Sequence, residues 1–444
     1  MNKTSLKIAF AYIGVIVGAG LSSGQDLLQY FLSFGKIGLL GVALLGVLNI
    51  IFGRIMVTLG CYYRSDSHEE VFSEIAHPVI TKIIDIVLAV GSFSMGFVMV
   101  SGAGSNLQQQ FGIPSWLGSL VCSLLVIFVA FMDFEKITNV LGLFTPVMIV
   151  MILLIAAYTF IGKSYDFNEL DVVAKTIEPA MGNLWISVID YYALCAMTGV
   201  SMAFILGGSV VRIGVAEKGG TLGGILIGII IMIASLSLFA NIDMIKDTDM
   251  PMLAIVNNIH PVLAVIYALT IFALIFNTAF SLYYSIARRY SNNDVKKMRI
   301  LMIAIVTAGY ICSFGGFKQL IGIMYPILGL IGILLLVILM IGWVRERENI
   351  IFEKFLRRKM IHLSLKHQDP NRESTRKDEA LFNKFGEISQ ADARGLKEDI
   401  HEFASKVIEN TDDSKEYANS NLPVDDEKLK EAVKQQLENR KNEE

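Results

Sequence analysis

The sequence predicts an all-α integral membrane protein: ten transmembrane helices in two five-helix repeats of opposite orientation, followed by a charged tail. Three observations predict it. The chain is 54% apolar and 18% charged, with a mean hydropathy of +0.56. Apolar runs of about 20 residues, enough to cross ~30 Å of hydrocarbon, recur along its first three quarters. Small polar residues interrupt two of those runs, each the first of five.

Charge divides the chain. Residues 345–444 hold 20 Lys+Arg and 23 Asp+Glu, which leaves 18 of each sign for residues 1–344. The expected domains are therefore a transmembrane body, 1–344, with repeats at about 7–162 and 184–343, and a cytoplasmic tail, 345–444. Met1–Lys7 is too short for the charged region of a cleaved signal, and the first apolar run is too long. Cys61, Cys122, Cys195 and Cys312 are scattered and form neither a metal pattern nor a disulfide framework. All six histidines, His68, His77, His260, His362, His367 and His401, fall in expected loops or tail. That argues against an intramembrane histidine metal site and a histidine-based hydrolase. The GAGLSSG stretch follows no strand, so it is no dinucleotide fingerprint. The chain reads as a non-enzyme whose partners are a small solute and membrane lipid, not nucleic acid.

Span 1, about 7–34, contains IGVIVGAGLSSGQDLLQYF, where Gly14, Gly18, Gly20, Ser22, Ser23 and Gly24 precede Gln25 and Asp26. Broken backbone inside a bilayer is tolerated only where protein or a cavity surrounds it. Span 2, 37–61, carries Arg54 in its inner half, where it snorkels or pairs. Span 3, 82–110, begins near Asp85. Its Ser92, Phe93, Ser94 and Met95 either line a site or pack. Spans 4 and 5, 115–132 and 140–162, are plainly apolar. Span 6, 184–211, repeats the interruption at Met197–Ala203, with Thr198, Gly199 and Ser201. Span 7 is 220–241. The segment 241–259 that follows is long enough for a short helix. Span 8, 261–289, carries Asn277, Thr278 and Ser281, and spans 9 and 10 cover 298–315 and 319–343.

Loop charges orient the spans. With the N-terminus inside, fourteen loop Lys and Arg fall inside and five outside, so both termini are expected in the cytoplasm of a cell-membrane protein. Five spans per unit is odd, so the second unit enters from the opposite face.

Unwinding a helix exposes carbonyls on one side of the break and amides on the other. The carbonyls suit a cation and the amides a carboxylate. The expected solute site is therefore Gly20, Ser22, Ser23, Gly24 and Gln25 of span 1 with Thr198, Gly199 and Ser201 of span 6. The competing reading of both clusters is close helix packing. Asp26 and Asp190 are ionisable residues inside spans, which makes them gate or proton-coupling candidates; the alternative places them near water.

This arrangement resembles the LeuT-type fold of the amino acid–polyamine–organocation superfamily. More closely, GAGLSSGQD resembles the GAGFASGQE-type opening of the YkvI-like membrane proteins, a family assigned as amino acid permeases. The likeness covers about residues 5–343. It implies a secondary active transporter of a small amino-acid-like solute, coupled to sodium or protons. It also implies a sodium site formed by the carbonyls of Gly14 and Val17, the Thr278 hydroxyl and the Asn277 amide, all oxygen donors suited to a hard cation. No other cofactor is implied. Asn277 stands where a second hydroxyl is usual, and Thr278 can instead back-bond to its own helix. The family's metal transporters carry an Asp–Pro–Gly motif at the first break, which this chain lacks. The 241–259 segment resembles the helical loop that caps the vestibule in this fold.

The tail opens with a basic stretch, 345–377, that favours anionic lipid, then turns acidic. Leu381, Phe382, Phe385, Ile388, Phe403, Val407 and Ile408 recur at helical spacing. They predict one or two amphipathic helices that dock on the body or a partner, or a solvated, partly disordered extension. The length of the tail makes a nutrient sensor the alternative function. Solute identity, direction of transport and oligomeric state are not written in these patterns.

Overall fold

Every regular element among the described residues is helical. The computed structural model describes residues 3–16, 22–65, 67–132, 144–291, 294–369, 374–391 and 395–409. Span 1 is α1 (Lys3–Ile16) and α2 (Gln25–Tyr30), followed by a short 3-10 turn at Leu32–Phe34. Then come α3 (Lys36–Tyr63), a loop helix α4 (His68–Ile75), α5 (Pro78–Phe111), α6 (Ser115–Val129), α7 (Phe144–Phe160) and a surface helix α8 (Phe167–Ala174). The second half holds α9 (Leu184–Gly208), α10 (Ile213–Ala240), α11 (Ile242–Ile245), α12 (Pro251–Ile259), α13 (Pro261–Tyr290), α14 (Val295–Cys312) and α15 (Phe317–Gln368). The tail adds α16 (Arg376–Ile388) and α17 (Leu396–Glu409).

Among the described residues seven helices are long and apolar enough to cross a membrane: α3, α5, α9, α10, α13, α15, and α14 with its terminal turn. The shorter α6 and α7 are equally apolar and match spans 4 and 5. Large apolar side chains such as Ile86, Leu124, Val150 and Ile341 are exposed on them, as a lipid-facing surface requires.

The helices pack as two groups. In the first, α10 lies against α3 and α1, and α9 against α3 and α15. In the second, α13 and α6 lie against α5, and α14 closes on all three. Glycine brings α10 and α3 together. A Cβ on Gly220 would fall 2.4 Å from the Gly53 carbonyl oxygen, and one on Gly224 would fall 2.4 Å from that of Asn49. Gly228 meets Gly46 one turn further on. Without hydrophobic driving force between helices in lipid, such close backbone approach is how they gain contact.

Two expectations are corrected. Span 6 has no break: α9 is one helix from Leu184 to Gly208, through Thr198, Gly199 and Ser201. The Thr198 hydroxyl turns back to the carbonyls of Cys195, 3.0 Å away, and Leu194, at 3.3 Å. It satisfies itself without opening the backbone. Gly207 of the same helix packs: its Cβ would fall 2.2 Å from the Val57 carbonyl oxygen.

The described tail is also no solvated extension. α15 runs unbroken across residue 344 and its last five turns carry α16 and α17. Leu356, Met360, Phe382, Phe385, Leu396 and Ile400 form a second apolar core there. Arg357, fully buried, ion-pairs with Glu353 at 2.8 Å and caps the carbonyls of Cys61 and Tyr62, both at 2.8 Å. Arg64 also pairs with Asp399. The tail is thus fastened to the end of α3.

Candidate functional site

The site forms where span 1 is interrupted. α1 is described as far as Ile16, and Gly24 adopts a left-handed conformation, φ 77°, immediately before α2. A glycine takes that conformation without the steric penalty of a side chain. Val17 and Gly20, expected in a sodium site and a solute site, lie outside the described residues. The other predicted residues here, Ser22, Ser23, Gly24 and Gln25, are all buried. The Ser22 carbonyl accepts a hydrogen bond from the Tyr267 hydroxyl of α13 at 2.9 Å. The Ser23 hydroxyl accepts from the Gln25 backbone N–H at 3.2 Å. The Gln25 side chain, 1% exposed, makes no hydrogen bond to a described residue through either its oxygen or its nitrogen. α2 is only six residues long, so its dipole is small. The polar character of the junction therefore comes from side chains as much as from backbone amides.

Asp26 and Asp190 are brought together through tyrosines. The Tyr191 hydroxyl of α9 donates to Asp26 of α2, and the Tyr30 hydroxyl of α2 donates to Asp190 of α9 at 3.1 Å. Each helix thus supplies one acid and one phenol, and the two hydrogen bonds cross. The Tyr30 and Tyr191 rings lie 5.1 Å apart. Ser187 donates to the Tyr30 carbonyl at 2.6 Å and fixes α2 on α9. Both acids are buried, at 1% and 0% exposure, so neither lines an open vestibule. No Lys, Arg or His among the described residues pairs with either. One oxygen of Asp190 and the Tyr325 hydroxyl are buried without a hydrogen-bond partner among them. α15 presses on Asp190 through Gly329, whose Cβ would fall 2.4 Å from the carboxyl carbon. An ionised carboxylate buried with no counter-charge is costly, so this cluster is poised to bind a cation or hold a proton.

Thr198, Gly199 and Ser201, the span 6 residues expected in the solute site, lie within the continuous helix α9. Ser201 bonds to His68 Nδ1 of α4 at 2.8 Å, and Thr198, among the described residues, bonds only to its own helix. The carbonyls expected to hold an ammonium are inside a continuous helix. His68 lies 3.8 Å from Asp85, which Arg289 pairs at 2.8 Å, and Arg289 also pairs with Glu69 at 2.8 Å. Burial first and Arg289 second push the His68 imidazole down to about 4. These contacts join α9 and α4 to α5 and α13, across the two helix groups.

Of the expected sodium ligands, Thr278 donates to the Leu274 carbonyl at 2.9 Å, which leaves its lone pairs available. Asn277 Oδ1 is buried without a partner among the described residues. A Cβ added at Gly14 would have no atom of a described residue within 4 Å. The 241–259 segment does hold helices, α11 and α12. Met252 of α12 lies over Gly24, 2.9 Å from where its Cβ would be.

Sequence reasoning missed Tyr30, Tyr191, Tyr267 and Tyr325. For Tyr30, four residues from Asp26, and Tyr191, next to Asp190, that spacing was the available signal; Tyr267 and Tyr325 have no acid near them in sequence.

With this geometry in place, comparison with known proteins is informative. No protein-family model matches the chain. It is 25% identical to the membrane protein YkvI of Bacillus subtilis (strain 168) over 327 residues, 74% of this chain and 92% of YkvI. It is 22% identical to YyaD of the same organism over 340 residues, 76% of this chain and 97% of YyaD. Both relatives are described as uncharacterised. Among solved structures it resembles MhsT in complex with L-phenylalanine, with a TM-score of 0.53, 14% identity, and coverage of 92% of this chain and 99% of MhsT. It also resembles the inward-facing conformation of Mhp1, with a TM-score of 0.52, 12% identity, and coverage of 92% and 91%. The fold is of the LeuT type. The resemblance to the YkvI-like proteins read from GAGLSSGQD extends over 327 residues of the chain, which is a multi-pass membrane protein with a transporter fold.

Proposed function

We propose that this chain is a secondary active transporter of a small amino-acid-like solute, built as ten spans in a five-plus-five inverted repeat with both termini cytoplasmic. It works by alternating access. The α1, α2, α3, α9, α10 group rocks against the α5, α6, α13, α14 group, with the His68–Asp85–Arg289 contacts as the inner closure. The solute binds at the junction before α2, where Ser22, Ser23 and Gly24 present polar groups and the unpartnered Gln25 amide offers both a donor and an acceptor. MhsT, of the same fold, holds L-phenylalanine, which supports an amino-acid-like solute here.

The observation that carries the reading is the crossed pair of acids. Asp26 and Asp190 are buried inside spans, bonded to tyrosines, and without a basic partner among the described residues. A proton that neutralises either acid loosens one crossing bond between α2 and α9, and so links protonation to the position of α2. Proton coupling is the leading reading for that reason. Sodium coupling through Gly14, Val17, Asn277 and Thr278 is the second, favoured by the unpartnered Asn277 oxygen. A sensor reading rests on the docked tail.

Reconstituted vesicles separate these. A panel of labelled amino acids is offered under an inward pH gradient without sodium, then under an inward sodium gradient at fixed pH. Saturable accumulation driven by one gradient identifies the coupling ion. Binding without accumulation under either gradient contradicts the transporter and leaves the sensor.

A further inference from the structure

A second polar site lies away from the acids, at the end of the body that carries the tail. A cavity of about 280 Å³ opens where the start of α10 faces the extension of α15. Arg212, Lys218, Lys354, Arg357 and Arg358 line it, and no carboxylate does. We propose that this cavity binds a phosphoryl anion, carried either by a lipid headgroup or by a soluble phosphorylated molecule.

Three features support a built site rather than a merely basic surface. The first is close placement of like charges. Gly214 has no side chain, and Lys354 and Arg358 fill the space beside it: a Cβ there would fall 3.6 Å from the Lys354 ammonium and 4.0 Å from a guanidinium nitrogen of Arg358. Lys354 is balanced by Glu217 at 2.6 Å and Arg357 by Glu353. Lys218 and Arg358 have no ion-pair partner among the described residues. The second is backbone. α10 is 28 residues long and begins at Ile213 with no side-chain cap. Its first intrahelical donors are Val215 and Ala216, both to the Arg212 carbonyl, so the amides of Ile213 and Gly214 remain available to a ligand lining the same cavity. Free amides at a helix N-terminus beside guanidinium groups are the combination that recognises phosphate oxygens. The third is size. The volume falls just below the range of about 300–1,000 Å³ typical of drug-sized ligands, and suits a headgroup or a small phosphate.

The site has a consequence for the tail. Arg357 lines the cavity and also donates to the Cys61 carbonyl near the end of α3 and to the Val211 carbonyl in the connection between α9 and α10. An anion held between Arg358 and the start of α10 ties the α15 extension, and the tail helices on it, to α10.

The test uses the full-length protein in phosphatidylcholine nanodiscs. One arm adds pyrophosphate, and the other replaces part of the lipid with phosphatidic acid. Thermal unfolding and a titrated apparent affinity are measured for wild type, for Lys218→Gln with Arg358→Gln, and for Lys296→Gln with Lys297→Gln as a control on the basic surface elsewhere. The expected result is a saturable rise in unfolding midpoint in at least one arm. The cavity double variant should bind at least tenfold more weakly, and the control should bind as wild type does. Response to pyrophosphate assigns a soluble ligand, and response to phosphatidic acid alone assigns a lipid. If the cavity double variant unfolds without ligand, Gly214→Val, which fills the cradle and keeps every charge, replaces it and should lose binding likewise. No response in either arm overturns the proposal, as does equal weakening in the control.

Discussion

Spans 1 and 6 look alike in sequence and differ in structure. Both place glycine and hydroxyl residues at mid-depth, yet α9 continues through Thr198, Gly199 and Ser201 while span 1 is interrupted before α2. The difference lies in where the polar groups find partners. Thr198 satisfies itself against the preceding turn, and Ser201 finds His68. In span 1 the turn at Gly24 leaves the Ser22 carbonyl to Tyr267 and the Gln25 amide with no partner among the described residues. Small polar residues in a membrane helix therefore do not make a break. A break needs a residue such as Gly24 that takes a left-handed turn, and neighbours that accept the released backbone groups.

The contrast predicts unequal sensitivity. The largest effect is expected at Gln25. Gln25→Leu keeps the volume and removes the unpartnered amide, so it should raise the KM for solute uptake at least tenfold, with the protein still folded. An unchanged KM would move the solute away from span 1. Tyr191→Phe removes the donor to Asp26. A hydrogen bond to a charged group is worth about 1.5–3 kcal/mol, so driven uptake should fall by roughly ten- to a hundredfold while thermal stability changes less. Stability lost with uptake retained would make the crossed pair a structural tie only.

A smaller effect is expected on the span 6 side, through His68. Its folded imidazole is held near 4, below the ordinary value of 6.5. The unfolded chain therefore binds more protons between these values. The stability His68 contributes is present above about pH 6.5 and is lost as pH falls towards 4. Thermal unfolding of wild type should be steeper in pH across that window than unfolding of His68→Gln. Parallel curves would remove His68 from the inner closure. The smallest effect is expected for Thr198→Val, which deletes only a bond of the helix to itself. Stability should change by less than about 0.5 kcal/mol and uptake hardly at all. A severe loss of uptake would return span 6 to the solute site.

Much of this was legible in the sequence for physical reasons. The length and apolarity of a span are local properties, so the long membrane helices, the turn before α2 and the room for a short helix at 241–259 could be read directly. Asp26 and Asp190 stood out because charge in hydrocarbon is costly. Their partners did not, because Tyr191 lies 165 residues from Asp26 and Tyr30 lies 160 from Asp190. The continuity of α9 was hidden because a hydroxyl bonded to its own helix and one lining a break look identical in sequence. The tail helices were visible by spacing. What they dock on depends on Arg357 reaching carbonyls almost 300 residues away, which no local pattern reports.

The central claim is that the buried acids couple a proton to solute movement. The most direct test loads vesicles with an internal pH-sensitive dye and adds an amino acid mixture outside, in sodium-free buffer, to wild type and to Asp26→Asn. Wild type should acidify the interior when solute is added. Asp26→Asn should abolish that signal while solute exchange across the membrane continues. Undiminished acidification in Asp26→Asn, or solute uptake in wild type with no proton movement, would contradict the account.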